Sequence, residues 1–449
     1  MKGRLYDDNL YQFAKPQASY WEATAADIRV TAPALSDDES CDVAVIGGGY
    51  TGLSAALHLA RDHDVDVRVL EAGPFGWGAS GRNGGFCCIG GVGVHRRDLV
   101  RMVGVDRARQ YFQSQVEAVE LVRRIGEEES LDFQARGSAE LEVAHTRKAF
   151  ERLREDYEVS TRHLNLPVEL LSAEEFRERH FDSDEQFGAL VSRPAFGLHP
   201  LRYCRGLANA AIRHGAVLHE RSEVLSWNKR DDGWHCIKTA GGSLRARRVI
   251  FSTNGFMPES LRPEFFARTM PIISAIIVTS PLTSQQRALH SWVTGETAAN
   301  SRRILNYFRL LPDNRFLFGG RGHSSGHADG ERETYARLEA TLKTIWPKWG
   351  DLAVDYRWHG LICMTGSLCP SIGRLDDDKS VSFAYGYHGN GVNTATWAGK
   401  KLADWIGSGQ APDLPEIVQG LAKKFPLASL RLKYFRLAIG LASWMDRRG

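Results

Sequence analysis

Three glycines, Gly47, Gly49 and Gly52, and one acid, Glu71, are the residues of this chain whose spacing points most directly to chemistry. They stand in CDVAVIGGGYTGLSAALHLARDHDVDVRVLEA, residues 41–72, where G-x-G-x-x-G separates an apolar, β-branched run from a helix-forming stretch. Gly47 suits a tight turn, Gly49 lets backbone approach a pyrophosphate, and Gly52 lets helix and strand pack closely. A helix N-terminus at this point offers unpaired N–H groups and partial positive charge to phosphates. Glu71, about twenty residues past the turn and followed by Ala72, is placed to accept hydrogen bonds from a ribose hydroxyl pair. Strand, turn, helix, strand and acid fall in the order of one βαβ unit, so the stretch is read as an adenine-dinucleotide site. The acid disfavours a 2′-phosphate, which argues against NADP.

Two further glycine-rich stretches extend this pattern. GPFGWGASGRNGGF, residues 73–86, carries six glycines and can be neither helix nor strand. It is read as a loop whose backbone comes close to a ligand, with donors on Ser80, Arg82 and Asn83. Phe75, Trp77 and Phe86 should anchor it. Near the other end of the chain, a strand over Val381–Tyr385 runs into Gly386, Gly389 and Gly391 and then a helix from about Val392 to Ile406. That second helix N-terminus is again suited to negative charge.

The elements that must position these loops follow from periodicity. Helices are expected within residues 98–129, from Thr146 to about His163, from Leu201 to about His214, and over Arg332–Trp346. Residues 137–144 read as a strand, and Val217–Val224, Gly233–Thr239 and Ser243–Phe251 as a meander with Asp-Asp-Gly and Gly-Gly turns. VIFSTNG, residues 249–255, should pass beneath the dinucleotide. Alternating strands dominate from Pro263 to Gly350 and suggest an antiparallel sheet able to cover a flat ligand. The fold is therefore expected to be α/β, a Rossmann-like dinucleotide domain with an inserted antiparallel-sheet substrate domain. The expected parts are an aromatic arm (1–40), the dinucleotide domain (41–94, most of 163–262, and 352–409), the substrate domain (95–162 and 263–351), and a helical tail (410–449).

Composition narrows the class. At 449 residues and 43% hydrophobic, the chain can bury a large core, and its net charge of +3 does not suggest a nucleic-acid partner. Residues 1–40 contain Asp7, Asp8 and Glu22 and lack a signal-like apolar run. Seven cysteines without C-x-x-C pairs read as reduced thiols in a cytoplasmic protein, with no metal site. The tail mixes Leu427, Leu430, Leu437, Ile439 and Trp444 with Arg431, Lys433, Arg436, Arg447 and Arg448. It is expected to pack on the body, with a membrane surface as the alternative partner.

DVAVIGGGYTGLSAALHLA, GWGASGRNGGF and GYHGNGVNTATWAGKKLADW together resemble the glycine oxidase/D-amino-acid oxidase superfamily of FAD enzymes. NYFRLLPDNRFLFGGR and YRWHGLICMTGSLCPSIGRLD are similar to segments of its γ-glutamylputrescine oxidase branch. The resemblance implies FAD as cofactor, with Gly47, Gly49, Gly52, Glu71 and Ala72 around the ADP half. It implies Gly78, Ser80, Gly81, Arg82, Asn83 and Gly84 along the pyrophosphate and ribityl, and Val224, Thr253, Asn254 and Gly255 near the adenine side. Gly360, Gly389, Asn390, Gly391 and Val392 would face the flavin ring. The chain departs from its relatives at Ile362, Cys363 and Ser367, where an arginine, a proline and an aspartate are usual. Asn393 stands in place of a substrate-carboxylate lysine, and no lysine lies near Leu317–Gly320.

The implied reaction is oxidation of an amine C–N bond to an imine by hydride transfer to flavin, with γ-glutamylputrescine or another polyamine-derived amine as substrate. Oxygen or another acceptor takes the electrons. Tyr307, Trp358 and His388 are expected to wall the amine site, and His388, which titrates near neutrality when unperturbed, to accept or relay its proton. Cys363 is read as a buried thiol rather than a covalent flavin anchor. The competing readings are an amino- or imino-acid dehydrogenase using Arg309 or Arg321, and a flavoprotein subunit with structural FAD.

Overall fold

The strand Asp38–Ile46 ends in the apolar run Val43–Ile46, whose four side chains are all buried. Parallel neighbours flank it: Val67–Leu70 on one side and Ser243–Phe251 on the other. Strands covered on both faces can be continuously apolar, which is the pattern seen here. A computed structural model describes residues 5–324 and 326–448, with backbone alone for 328 and 443–448. The main path of this first sheet runs 371–374, 381–385, 243–251, 38–46, 67–70, 217–219. The helix Tyr50–His63 connects the strands 38–46 and 67–70. It packs against the helices Pro200–Arg213 and Gly391–Ser408, and a Cβ on Gly399 would lie 2.3 Å from the Thr51 carbonyl oxygen. That crossing admits no side chain.

The strand expected over Val217–Val224 is shorter. Val217–His219 pairs in parallel with Val67–Leu70. Arg221 then turns at φ 51°, and the Ser222 amide donates to the Glu71 carbonyl, so the chain leaves the strand path there. The meander is made instead by Ser226–Lys229, His235–Lys238 and Ser243–Phe251. Beyond Phe251, Ser252 Oγ donates to the carbonyls of Ile46 and Gly47, which ties this segment beneath the first glycine turn.

The second sheet has eight strands, in the order 354–365, 269–279, 316–321, 307–310, 297–300, 140–143, 189–192, 168–171. It is antiparallel except where Thr297–Asn300 pairs in parallel with Glu140–Val143. Its core is aromatic: Phe181 stacks on Trp292 at 4.2 Å, and Phe308, Phe316 and Trp346 pack around them. Sheet membership crosses two expected boundaries. Strands within 168–192 and 354–365 hydrogen-bond into this sheet. The helix Val105–Glu128, by contrast, buries Tyr111, Phe112, Val119 and Val122 in the core shared with the dinucleotide helices. Edge pairing between strands distant in sequence produces this exchange.

The aromatic arm is tied down by buried side chains. Tyr6 donates to the Pro271 carbonyl at 2.8 Å, and Trp77 donates to the Lys15 carbonyl at 2.7 Å. Among the described residues, no helix is long and apolar enough to cross a membrane.

Candidate active site

A cavity of about 1120 Å³ is lined from both sheets, larger than the ~300–1,000 Å³ of an ordinary small-molecule pocket. Gly47, Gly49, Glu71, Ala72, Gly78, Ser80, Arg82, Asn83, Gly84, Val224, Thr253, Asn254, Gly360, Gly389, Asn390, Gly391 and Val392 all line it, as do Tyr307 and His388. Residues scattered over most of the sequence thus meet at one surface. Gly52, Gly81, Gly255 and Trp358 are not part of that lining.

The glycine turn has the conformation its sequence demands. Gly47 lies at φ 105°, and a Cβ there would come within 3.0 Å of the Ser252 carbonyl group. Gly52 and Gly81 act behind the surface: a Cβ on either would stand 2.0 Å from a carbonyl oxygen, of Gly47 and Gly76 respectively. Gly255 backs onto Leu361 and Cys363. These three shape the turns without facing the cavity. Glu71 is enclosed, its Oε2 accepting the Gly48 amide at 2.7 Å and its Oε1 the Gly73 amide at 3.1 Å. Burial raises its pKa.

The stretch 73–86, expected to be loop throughout, contains one helical turn, Ala79–Arg82, and ends at a short strand, Phe86–Cys87. Asn83 Nδ2 donates to the carbonyls of Ala79 and Ser80 while its Oδ1 accepts the Gly85 amide. Ser80 Oγ accepts the Tyr50 amide at the start of the dinucleotide helix. Two indoles then grip consecutive carbonyls: Trp21 donates to Asn83 O at 2.9 Å and Trp358 to Arg82 O at 2.8 Å. Trp358 is 1% exposed, packed edge-on against Trp21. This corrects the expected place of Trp358 in the amine wall; its strand turns it behind the loop, where it fixes the backbone of Arg82. Arg309 is likewise buried away from the cavity, donating to the Leu198 carbonyl, so it cannot clamp a substrate carboxylate. Arg321 does reach the cavity, and its Nε has no partner.

Three polar groups test whether FAD fits this cradle. Arg82 is 5% exposed, its guanidinium lies 3.9 Å from the centre of the Trp77 ring, and its Nη2 has no protein partner. Burial pushes its pKa down to about 9. Thr253 Oγ1 is also buried without a partner. The helices Tyr50–His63 and Gly391–Ser408 both begin at the cavity, and neither N-cap residue, Gly49 or Asn390, caps its helix with a side-chain hydrogen bond. An extended, polyanionic dinucleotide supplies what such groups lack. The residues present fit FAD.

At the other end of the cradle, Asn390 is locked by Nδ2 bonds to Cys88 O and Gln115 Oε1. Asn393 is wholly buried and bonds to the same glutamine, away from the cavity. His388 occupies a left-handed conformation at φ 51°, with Nε2 accepting the Thr365 amide at 3.3 Å. Thr365 Oγ1 lies 3.2 Å from the same nitrogen, and Nδ1 is buried without a partner. Burial lowers the ring's pKa to about 4. His388 therefore lines the cavity as a neutral ring, and burial weakens it as the proton acceptor expected from the sequence. Tyr307 hydroxyl lies 3.0 Å from Ser274 Oγ, and burial pushes its pKa up to about 12. Cys363 lines the cavity as a thiol whose pKa burial also raises to about 12. All seven cysteines are unpaired.

Two parts of the lining were not expected. The tail helix Arg431–Arg448 contributes Phe435, Ala438, Ile439 and Ala442, and it is anchored by a buried Arg431–Glu259 pair at 2.7 Å. Leu437 and Leu441 face outward; Trp444, Arg447 and Arg448 have side chains outside the described residues. The strand Glu140–Val143 contributes Glu140 and Glu142. The E-L-E-V alternation carried the signal, since residues two apart share a strand face.

Comparison with known proteins agrees with this geometry. The chain is 33% identical over 419 residues to γ-glutamylputrescine oxidoreductase of Escherichia coli (strain K12), covering 92% of this chain and 95% of the relative. It is 24% identical over 375 residues to glycine oxidase of Bacillus licheniformis, covering 81% and 92%. The crystal structure of glycine oxidase from Geobacillus kaustophilus shares the fold with a TM-score of 0.71 at 21% identity, covering 86% of this chain and 100% of that one. Residues 42–405 match the family described as FAD dependent oxidoreductase, and with the cradle above this makes the chain a member of that family and an FAD-dependent oxidoreductase.

Proposed function

We propose that the protein oxidises the C–N bond of a small amine, γ-glutamylputrescine or another polyamine-derived amine, to an imine that water hydrolyses. The observation that carries this reading is the 33% identity, sustained over 92% of the chain, to a relative named for that substrate. Bound FAD supplies the hydride acceptor, and oxygen or another electron carrier takes the electrons onward. The chain's own task is to deliver the amine neutral and correctly turned. An alkyl amine titrating near ~10.4 costs roughly 4–5 kcal/mol to deprotonate at pH 7. An enclosed apolar wall reduces that cost by desolvating the ammonium. Tyr307, packed edge-on against Phe86 and held by Ser274, presents such a wall with one fixed hydroxyl. His388 adds a neutral imidazole to the same wall. The tail helix excludes water from one side of the cavity.

One observation favours a second reading, oxidation of an amino or imino acid. Arg321 lines the cavity, and its buried Nε makes no hydrogen bond within the protein. Mixing the oxygen-free holoprotein with amines and with amino acids separates the two. The amine reading expects the yellow flavin band to bleach with amines lacking an α-carboxylate; bleaching by α-amino acids alone overturns it.

A further inference from the structure

Among the described residues, Glu140 and Glu142 have no ion-pair partner, although the charge of Arg96 reaches both. They alternate with Leu141 and Val143 along one strand, and those two residues enter the aromatic core of the second sheet. Both acids therefore share the opposite face, which lines the cavity. Both are half-buried where they meet that space. Among the described residues neither carboxylate forms an ion pair. The nearest cation, Arg96, spends its Nη atoms on Ser160 Oγ at 3.0 Å and Ser192 Oγ at 2.8 Å. His95 lies instead 3.5 Å from Asp156, which also accepts the Arg97 amide. Burial raises the pKa of both acids, that of Glu140 to about 7, with Cys88 beside it.

An enclosed, unpaired carboxylate is costly, and two on one face more so. A ligand that brings positive charge offsets that cost. A divalent metal needs about six or more oxygens, and the described residues hold no group of three metal ligands. An ammonium needs only acceptors. Glu140 also marks the right end of the cavity. Cys88, its neighbour, donates to Asn390 Oδ1 at 3.3 Å, and Asn390 directly precedes the helix Gly391–Ser408 that begins at the cavity. A carboxylate there would hold a reacting amine in its ammonium form, which cannot give up hydride. The pair suits the end of the substrate that does not react.

We propose that Glu140 and Glu142 form a subsite for a second ammonium, so that the substrates are amines carrying another cationic nitrogen several carbons from the one oxidised. This rests on the amine reading above and narrows it to diamines and aminoalkyl amines.

The test compares α,ω-diamines of three to six carbons with n-alkylamines of the same lengths. Calorimetry on holoprotein whose flavin has been chemically reduced beforehand reads binding alone; oxygen-free bleaching of oxidised holoprotein reads reaction. At least one diamine should bind ~10-fold or more tighter than its monoamine, the scale of one charge-assisted contact. In E142Q and in the E140Q/E142Q double variant that ratio should fall below about 3-fold, with the flavin spectrum retained as the check on folding. Equal binding of diamines and monoamines to the native protein overturns the subsite, whatever the variants do. A ratio that survives in a folded double variant also overturns it. Bleaching by amines without a diamine preference would leave the amine reading standing and remove the subsite. A binding preference lost in the variants, with no amine bleaching the flavin, would keep the subsite and remove amine oxidation.

Discussion

His388 carries a pH consequence that separates it from the substrate. Its pKa of about 4 leaves it neutral throughout the range from pH 6 to 9, so it does not titrate there. The substrate amine does. The rate of flavin reduction should rise with pH across that range, approaching tenfold per unit while the neutral amine is scarce. H388N should lower the rate without changing the slope, because the slope belongs to the amine. A rate that falls from pH 6 to 9, or a slope abolished in H388N, contradicts this assignment. Cys363 gives a second consequence. With burial raising its pKa to about 12, the thiol is protonated and a poor nucleophile. FAD should leave intact with the supernatant on acid precipitation; yellow colour retained in the protein pellet would show a covalent link. At this scale the glycines were legible because their role is backbone geometry, which spacing alone specifies. Trp358 and Arg309 were visible as residue types, but the direction in which a strand turns a side chain depends on its partners.

At the scale of elements, the loop 73–86 owes its shape to neighbours far away in sequence. Trp21 comes from the arm and Trp358 from the strand Val354–Thr365, yet they hold adjacent carbonyls of one loop. W358F keeps most of the ring volume and removes the N–H that satisfies Arg82 O. The lost hydrogen bond is worth about 1 kcal/mol, more with the carbonyl left buried and unpaired. FAD affinity measured by fluorescence should therefore weaken by roughly 5- to 30-fold. An unchanged affinity would mean that Arg82 is positioned by something else. The tail helix makes a parallel case. Arg431 and Glu259 are 3% and 7% exposed and pair at 2.7 Å. R431A strands a buried carboxylate, a change on the order of 3–5 kcal/mol. It should lower the melting temperature, and iodide should quench the flavin more readily as the helix loosens. Replacing the exposed Leu437 by Ser should do neither. Strand and helix periods were readable in this region, but the tail's pattern was compatible with two surfaces, and only packing against the cavity distinguishes them.

For the whole molecule, two eight-stranded sheets share one cavity, and most of the expected FAD-site residues meet there from segments between residues 47 and 392. The dinucleotide half was read from sequence because one βαβ unit contains its entire logic. The second sheet was recognised as a sheet, yet its membership was misjudged at 168–192 and 354–365, since long-range edge pairing leaves no local mark. The acids of the strand Glu140–Val143 were overlooked for a related reason. A strand with alternating acids usually faces water, and here the alternate face meets an enclosed space. The proposed reaction turns on one step, the departure of hydride from the carbon beside an amine nitrogen. It is measured most directly by oxygen-free, rapid-mixing reduction of the holoprotein by γ-glutamylputrescine, with hydrogen or deuterium on the carbon next to the amine at the putrescine end. The flavin band should bleach on mixing and bleach more slowly with the deuterated substrate. A band that amines leave untouched while an α-amino acid bleaches it would contradict the proposed reaction.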